Sequence, residues 1–209
     1  MEKRELLQKL AGIQTIESVM DILRVNKRMA IYYIHSLRKE GYVKTRRQSN
    51  NRRVYNISLD NKLGGKSYYE IINQYSPIKI STPVIFRIYG KEPSLKETLI
   101  YAIKTKSLRT ILASLALFKK INNWVELYNL AKENHIERQV GALYDLAFHV
   151  MKVRKMSPKF RSSALPKEEC KIEYTVPELK SKDFIEIENI WKIYLPFNKK
   201  DLEEYKWLL

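Results

Sequence analysis

Apolar residues recur at helical spacing three times before residue 42. Leu6, Leu7 and Leu10 share one face of a helix predicted over Glu2–Ala11, which Gly12 ends. Ile16, Val19, Ile22 and Leu23 supply the buried side of a second helix over Ile16–Leu23, with Thr15 as its N-cap. After a short Val25-Asn26 turn, Ala30, Ile34 and Leu37 fall four and three residues apart, which places them on one face of a third helix over Lys27–Glu40. Asn26 can cap its start, and Gly41 stands where a helix stops in a left-handed conformation. The period then changes. Tyr42–Arg46 and Arg53–Ser58 alternate and are rich in β-formers, with Val54 and Ile57 read as turned inward. Between them lies a polar hairpin tip, residues 47–52.

The pattern breaks at 61–66, where Gly64-Gly65 signals a linker. The expected organisation is a small domain over 1–60 and a larger one over 67–209. The larger part is mainly helical. Tyr68, Ile71, Ile72 and Tyr75 predict a helix over Lys66–Tyr75, and Pro83–Tyr89 reads as a strand. Ser94 and Glu97 form a capping-box pair that opens a helix to Thr105. Ser107 opens another, with Leu108, Ile111, Leu112, Leu115 and Phe118 on its apolar side. Asn123 opens a third, and a fourth runs over Glu137–Lys152. Trp124, Leu127, Ala131, Val140, Tyr144 and Ala147 fall near the positions of a tetratricopeptide hairpin, but a single unit makes no array, so a bundle core is the plainer reading. The tail offers strands at Ile172–Val176 and Trp191–Pro196, a segment open between helix and strand at Ser181–Asn189, and a final helix from Lys199 capped by Asn198. The fold class is therefore α+β, mostly α.

Charge changes the picture. The 209 residues carry a net charge of +16, with a pI near 9.7 and an ordinary 44% hydrophobic content. Such a chain folds and seeks an acidic partner, most commonly nucleic acid. A membrane surface would require a long basic amphipathic helix. None is visible, and no apolar run reaches the ~18 residues of a span. The charged N-terminus lacks a signal-peptide core, and Cys170 stands alone, so a cytoplasmic location is expected.

The excess concentrates between Arg24 and Arg53, where ten Lys and Arg face the single acid Glu40. The third helix must pack through Ala30, Ile34 and Leu37. Its remaining surface carries Lys27, Arg28, Arg38 and Lys39. The order of three helices and a hairpin, with Leu37-Arg38-Lys39-Glu40-Gly41-Tyr42-Val43 at the passage between them, resembles the winged helix-turn-helix family over residues 3–59. The resemblance implies that the third helix enters the major groove of duplex DNA and that the hairpin lies along the backbone as a wing. The helix residues it points to are Asn26, Lys27, Arg28, Met29, Tyr32, Tyr33 and Arg38. Arg28 suits guanine, and Met29 suits a thymine methyl. Tyr33 could instead pack on the hairpin. The wing residues are Lys44, Arg46, Arg47, Gln48, Ser49, Asn50, Asn51, Arg52 and Arg53. His35 reads as a polar surface residue.

A second basic segment, Lys152, Arg154, Lys155, Lys159 and Arg161, is either a further phosphate contact or a solvated helix end. The region around Pro93–Ile103 and Asn123–Lys132 is similar to AbiEi-type antitoxins, which implies autoregulation and a nucleotidyltransferase toxin as partner. The histidines are scattered and no phosphate loop is present, so no enzyme, metal or cofactor is expected. The expected function is sequence-specific binding of double-stranded DNA by a transcriptional regulator. The alternatives are such an antitoxin or an RNA-binding accessory factor. Phe118, Trp124, Trp191, Tyr194, Phe197 and Trp207 are candidates for a homodimer interface within 67–209.

Overall fold

The structure, a computed structural model, describes residues 2–59, 63–83, 87–89, 92–166 and 170–208, of which 206–208 by backbone alone. The chain is mixed α+β and mostly helical. It divides into two units, the first made of Met1–Lys66 with Arg87–Glu92, the second of Ser67–Phe86 with Pro93–Leu209.

The first unit opens with α1 (Lys3–Leu10), β1 (Gly12–Gln14) and α2 (Ile16–Leu23). Thr15 and Ser18 cap α2 reciprocally, Ser18 N–H donating to Thr15 Oγ1 at 3.2 Å and Thr15 N–H to Ser18 Oγ at 2.9 Å. Its packed side differs from the expectation. Val19 is buried, with Ile16, Met20 and Leu23 leaning on the core, while Ile22 is exposed. At about 100° per residue, Ile22 rotates to the far side of Val19 from the other three, and Met20 takes its place.

Helix α3 (Lys27–Lys39) follows, and Asn26 Oδ1 accepts from Met29 N–H at 3.0 Å. Ala30, Ile34 and Leu37 are buried, as their spacing requires. The helix ends in a Schellman turn: Tyr42 N–H donates to Leu37 O at 2.9 Å and Gly41 N–H to Arg38 O at 3.0 Å. Gly41 has φ +87°, and a Cβ there would lie 2.3 Å from the Tyr89 ring. Left-handed geometry and close approach both demand glycine.

Strands β2 (Val43–Arg47) and β3 (Arg53–Ile57) pair antiparallel, and β1 adds to β3, giving the order β1-β3-β2. The expected inward pair is corrected. Tyr55 and Ile57 join the core, while Val54, buried but outside that cluster, lies on the other face. Strand side chains alternate with period two, so residues 54 and 57 cannot share a face. Leu63–Lys66, expected as linker, belong to this unit, as does 87–92: Ile88 N–H donates to Lys66 O at 3.0 Å and Arg87 Nη1 to Gly65 O at 3.2 Å. The rest of the expected linker, 61–62, and the middle of the expected strand, 84–86, lie outside the described residues.

The second unit is a helical assembly of α4 (Tyr68–Tyr75), α5 (Leu95–Lys104), α6 (Leu108–Ser114), α7 (Trp124–Glu133), α8 (Glu137–Val150), α9 (Pro158–Ala164) and α10 (Ile185–Trp191). Capping boxes at Ser67/Glu70 and Ser94/Glu97, and Asn123 accepting from Glu126 N–H, start α4, α5 and α7. Helix α6 is shorter than its pattern suggests. The chain tightens into a 3-10 turn over Leu115–Lys119, and Leu108 is exposed. The six tetratricopeptide-like positions are all core. So are Phe118, Trp124, Trp191 and Phe197, which removes these four from the candidates for an interface; Tyr194 is half-buried, and the Trp207 side chain lies outside the described residues.

The tail closes this core. Trp191 docks on α8 where Gly141 leaves room, since a Cβ there would sit 2.3 Å from the ring. Its Nε1–H donates to Asp145 Oδ2 at 2.7 Å. Two-residue parallel strands β4 (Glu173–Tyr174) and β5 (Ile193–Tyr194) replace the longer expected ones. Lys200–Leu208 is a 3-10 helix, and the Asn198 side chain accepts from Ser181 Oγ rather than capping it.

Candidate nucleic-acid interface

Residues on a helix are separated by about 100°, so the packed stripe of α3 fixes what faces away. Opposite Ala30, Ile34 and Leu37 stand Arg28, Tyr32, His35 and Lys39, at i, i+4, i+7 and i+11, all exposed. Tyr32 is 62% exposed, high for an aromatic side chain. Met29 and Ile31 shoulder the stripe on either side, both exposed.

Of the helix residues expected at the site, Arg28 and Tyr32 lie at the centre and Met29 beside them. Lys27 and Arg38 are exposed but sit on one flank, not opposite the core. Two others are committed elsewhere. The Asn26 carbonyl caps α3. Tyr33 is half-buried against the core, its ring meeting Tyr32 edge-on at 5.8 Å. His35 and Ile31 were missed. Counting outward from the buried stripe would have found both.

The hairpin displays Lys44, Arg46, Arg47, Gln48, Ser49, Asn50, Asn51, Arg52 and Arg53, all exposed. The two asparagines shape its tip. Asn50 Oδ1 accepts from Arg52 N–H at 3.1 Å, and Asn51 takes φ +63° and accepts from Arg47 at 3.5 Å. The arginines do not all point one way. Arg47 pairs with Arg53 on the face that continues Tyr55 and Ile57, while Arg46 and Lys44 lie on the other. Two arginines directly opposite each other across a strand pair destabilise it.

Between α2, α3 and β3 runs a groove of about 580 Å³, lined by Lys27, Ile31, Arg52, Arg53 and, at the start of α2, Glu17. The Glu17 carboxyl is held below its usual range by its own backbone amide and the Thr15 hydroxyl, with the charges of Lys27 and Arg52 adding. Glu40, the acid of the basic stretch, is taken by Lys3 at 2.7 Å. Among the described residues neither Arg28 nor Lys39 forms an ion pair, so the outward stripe faces solvent with its positive charge uncompensated.

The second basic segment is different. Lys152, Arg154 and Lys155 lie on the extended chain after α8, which stops at Val150, and Lys159 on the first turn of α9; all four are exposed. Arg161 is not available for phosphate. Its Nη1 and Nη2 donate to the two Asp145 oxygens at 3.0 and 2.6 Å, and its guanidinium lies over the Trp191 ring. No described helix is long and apolar enough to cross a membrane. No protein-family model, curated protein or solved structure matches the chain.

Proposed function

We propose that the chain binds double-stranded DNA through its first unit, a winged helix-turn-helix, and acts as a transcriptional regulator. Helix α3 enters the major groove and the 47–52 hairpin rests on the adjoining backbone. The observation that carries this reading is the outward stripe of α3. Arg28, Tyr32, His35 and Lys39 are exposed, form no ion pair among the described residues and project from one helix beside an arginine-lined hairpin.

The chemistry favours DNA over duplex RNA. The major groove of B-form DNA admits a helix, whereas that of A-form RNA is too narrow. Arg28 has the fork that reads guanine, and Met29, Ile31 and Tyr32 supply apolar surface for thymine methyls. Lys39, Arg47, Arg52 and Arg53 serve the phosphates, which hold the protein in register without specifying sequence.

Selection of bound duplexes from a random pool, followed by competition with single-stranded DNA and duplex RNA of the same sequence, tests the reading. A recovered consensus with guanine and thymine at its centre is expected, with duplex RNA competing poorly. Equal competition by all three nucleic acids would reduce the site to a general polyanion surface.

A further inference from the structure

The hairpin tip presents a hydroxyl as well as cations. Ser49 sits in a turn closed by Asn51 N–H donating to Gln48 O at 2.9 Å and Gln48 N–H to Arg52 O at 2.9 Å. Serine suits a turn, but its company is unusual. Arg46 and Arg47 precede it, Arg52 and Arg53 follow it, and no acid lies between residues 41 and 59. All four arginines are exposed, and none forms an ion pair among the described residues. Arg47 Nη1 reaches across the turn, donating to Asn51 Oδ1 at the long distance of 3.5 Å. Ser18, Ser67, Ser94 and Ser107 spend their hydroxyls on helix caps. Ser49 is exposed, and its hydroxyl forms no hydrogen bond among the described residues.

Guanidinium groups hold a phosphate by paired, charge-assisted hydrogen bonds. Four of them flanking an unbonded hydroxyl would hold a phosphate carried on that hydroxyl. Arginines ahead of a serine are also the charge pattern by which a kinase with an acidic substrate groove selects it. The backbone gives access. Arg46 and Arg47 end β2 in extended geometry, the turn carries no core residue, and the last strand pair sets Arg47 against Arg53, like charges that loosen the tip. The second basic segment supplies a contrast. Arg154-Lys155-Met156-Ser157 repeats the spacing of Arg46-Arg47-Gln48-Ser49. There Met156 is buried and Ser157 half-buried, and the Ser157 carbonyl is taken into the first turn of α9, accepting from Arg161 N–H at 3.1 Å. The two serines share a pattern; the fold presents the first and withdraws the second.

We propose that Ser49 is a phosphorylation site: an arginine-directed serine kinase phosphorylates it from ATP, and the hairpin arginines then hold that phosphate in place of one from DNA. In the transfer Ser49 Oγ bonds to the γ-phosphorus as the bond from that phosphorus to the bridging oxygen breaks. ADP leaves with the electron pair, and the hydroxyl proton passes to the kinase's base. The new group carries a charge of about −1.5 to −2 at pH 7, which cancels close to half the charge of the four arginines. Its phosphate cannot diffuse away, so the hairpin releases the duplex. Release rests on the hairpin binding DNA; the acceptor and its arginine cradle do not.

The test treats the full chain with ATP and a purified serine kinase that selects arginines two and three residues before its acceptor, and maps the product by mass spectrometry. Phosphate on Ser49 is expected, with Ser157 modified only once the chain is unfolded. Arg46→Ala with Arg47→Ala should slow the transfer by at least about tenfold. Phosphorus NMR should place the second ionisation of the Ser49 phosphate below its usual value of about 6. Arg52→Ala with Arg53→Ala, which spares the arginines the kinase reads, should bring it back up. Duplex affinity should fall about 10- to 100-fold on phosphorylation and the log–log salt slope by about two units. Ser49→Ala, treated alike, should bind as it did before treatment. Three results would overturn the inference: no transfer to the folded chain, transfer to Ser157 in preference, or an ordinary ionisation of the Ser49 phosphate beside intact arginines. If the phosphate is cradled and duplex affinity holds, alanine at all four hairpin arginines tells which reading has failed. Lost affinity in that variant refutes control by Ser49. Unchanged affinity refutes DNA binding by the hairpin, and release with it, and leaves the acceptor and its cradle standing.

Discussion

Two basic regions of this molecule look alike as sequence and differ as structure. Lys27–Arg53 and Lys152–Arg161 both gather cations with scarcely an acid. In the first, the one acid, Glu40, pairs outside the stripe with Lys3, and Arg47 faces Arg53 with no counter-charge between them. In the second, the best anion-binding group, Arg161, is clamped on Asp145, and Lys155 lines a largely apolar groove with Glu186 across from it. Counting charges treats the two as equal. What separates them is which cations are already committed and what surface lies beside them. An uncommitted helix face with cations beside exposed apolar side chains suits base edges and phosphates, whereas a guanidinium already held by a carboxylate and a tryptophan ring does not.

The largest test of this contrast is to remove the cations of each region in turn. Arg46, Arg47, Arg52 and Arg53 changed together to alanine should lower affinity for every duplex by about 10²–10³-fold and flatten the log–log salt dependence by about three to four units. The same treatment of Lys152, Arg154, Lys155 and Lys159 should change duplex affinity by no more than about twofold. Comparable losses would erase the distinction. The hairpin variant should melt no lower than wild type, because it relieves the Arg47–Arg53 repulsion. A clear drop in the melting midpoint would give those arginines a structural role.

Next in size is Arg28→Ala, expected to cost roughly 1–3 kcal/mol on a selected site and far less on random DNA. Equal losses on both would make Arg28 a phosphate contact. Arg161→Ala should do the reverse. It leaves DNA binding alone but strips the bidentate partner from a mostly buried Asp145, costing about 1–2 kcal/mol of stability in denaturant unfolding. The smallest effect concerns the one carboxylate in the basic groove. Glu17→Gln should tighten DNA binding by about two- to fivefold at low salt and by less as salt rises. Weaker binding would place Glu17 among the contacts.

The first unit was the more legible. The spacing of Ala30, Ile34 and Leu37 and the punctuation by Asn26 and Gly41 are local signals, and α3 obeys them. Strand β1 has three residues and no alternation to read; only its pairing with β3 makes it a strand. His35 lies beyond the first turns of α3, and only its place opposite the packed stripe puts it on the outward face. In the second unit the decisive partners are remote. Asp145 lies 16 residues from Arg161 and 46 from Trp191. No short window shows that these cations and aromatics are spent on each other, so a core looked like an interface.

The gap at Gly141 has a consequence in time. A glycine in mid-helix lowers helix propensity by about 1 kcal/mol relative to alanine, and here its reward arrives only with Trp191. As the chain emerges from a ribosome, the Gly141 notch is made fifty residues before the ring that fills it. Tyr205, whose hydroxyl donates to Leu112 O at 2.7 Å and Ala113 O at 3.0 Å, comes later still. The first unit, whose residues are all made by Glu92, can be native while the second waits with an open seam. For that interval the nascent second unit exposes its apolar seam around α8 to solvent, and a chaperone that holds it until residue 205 emerges would lower the odds of misassembly.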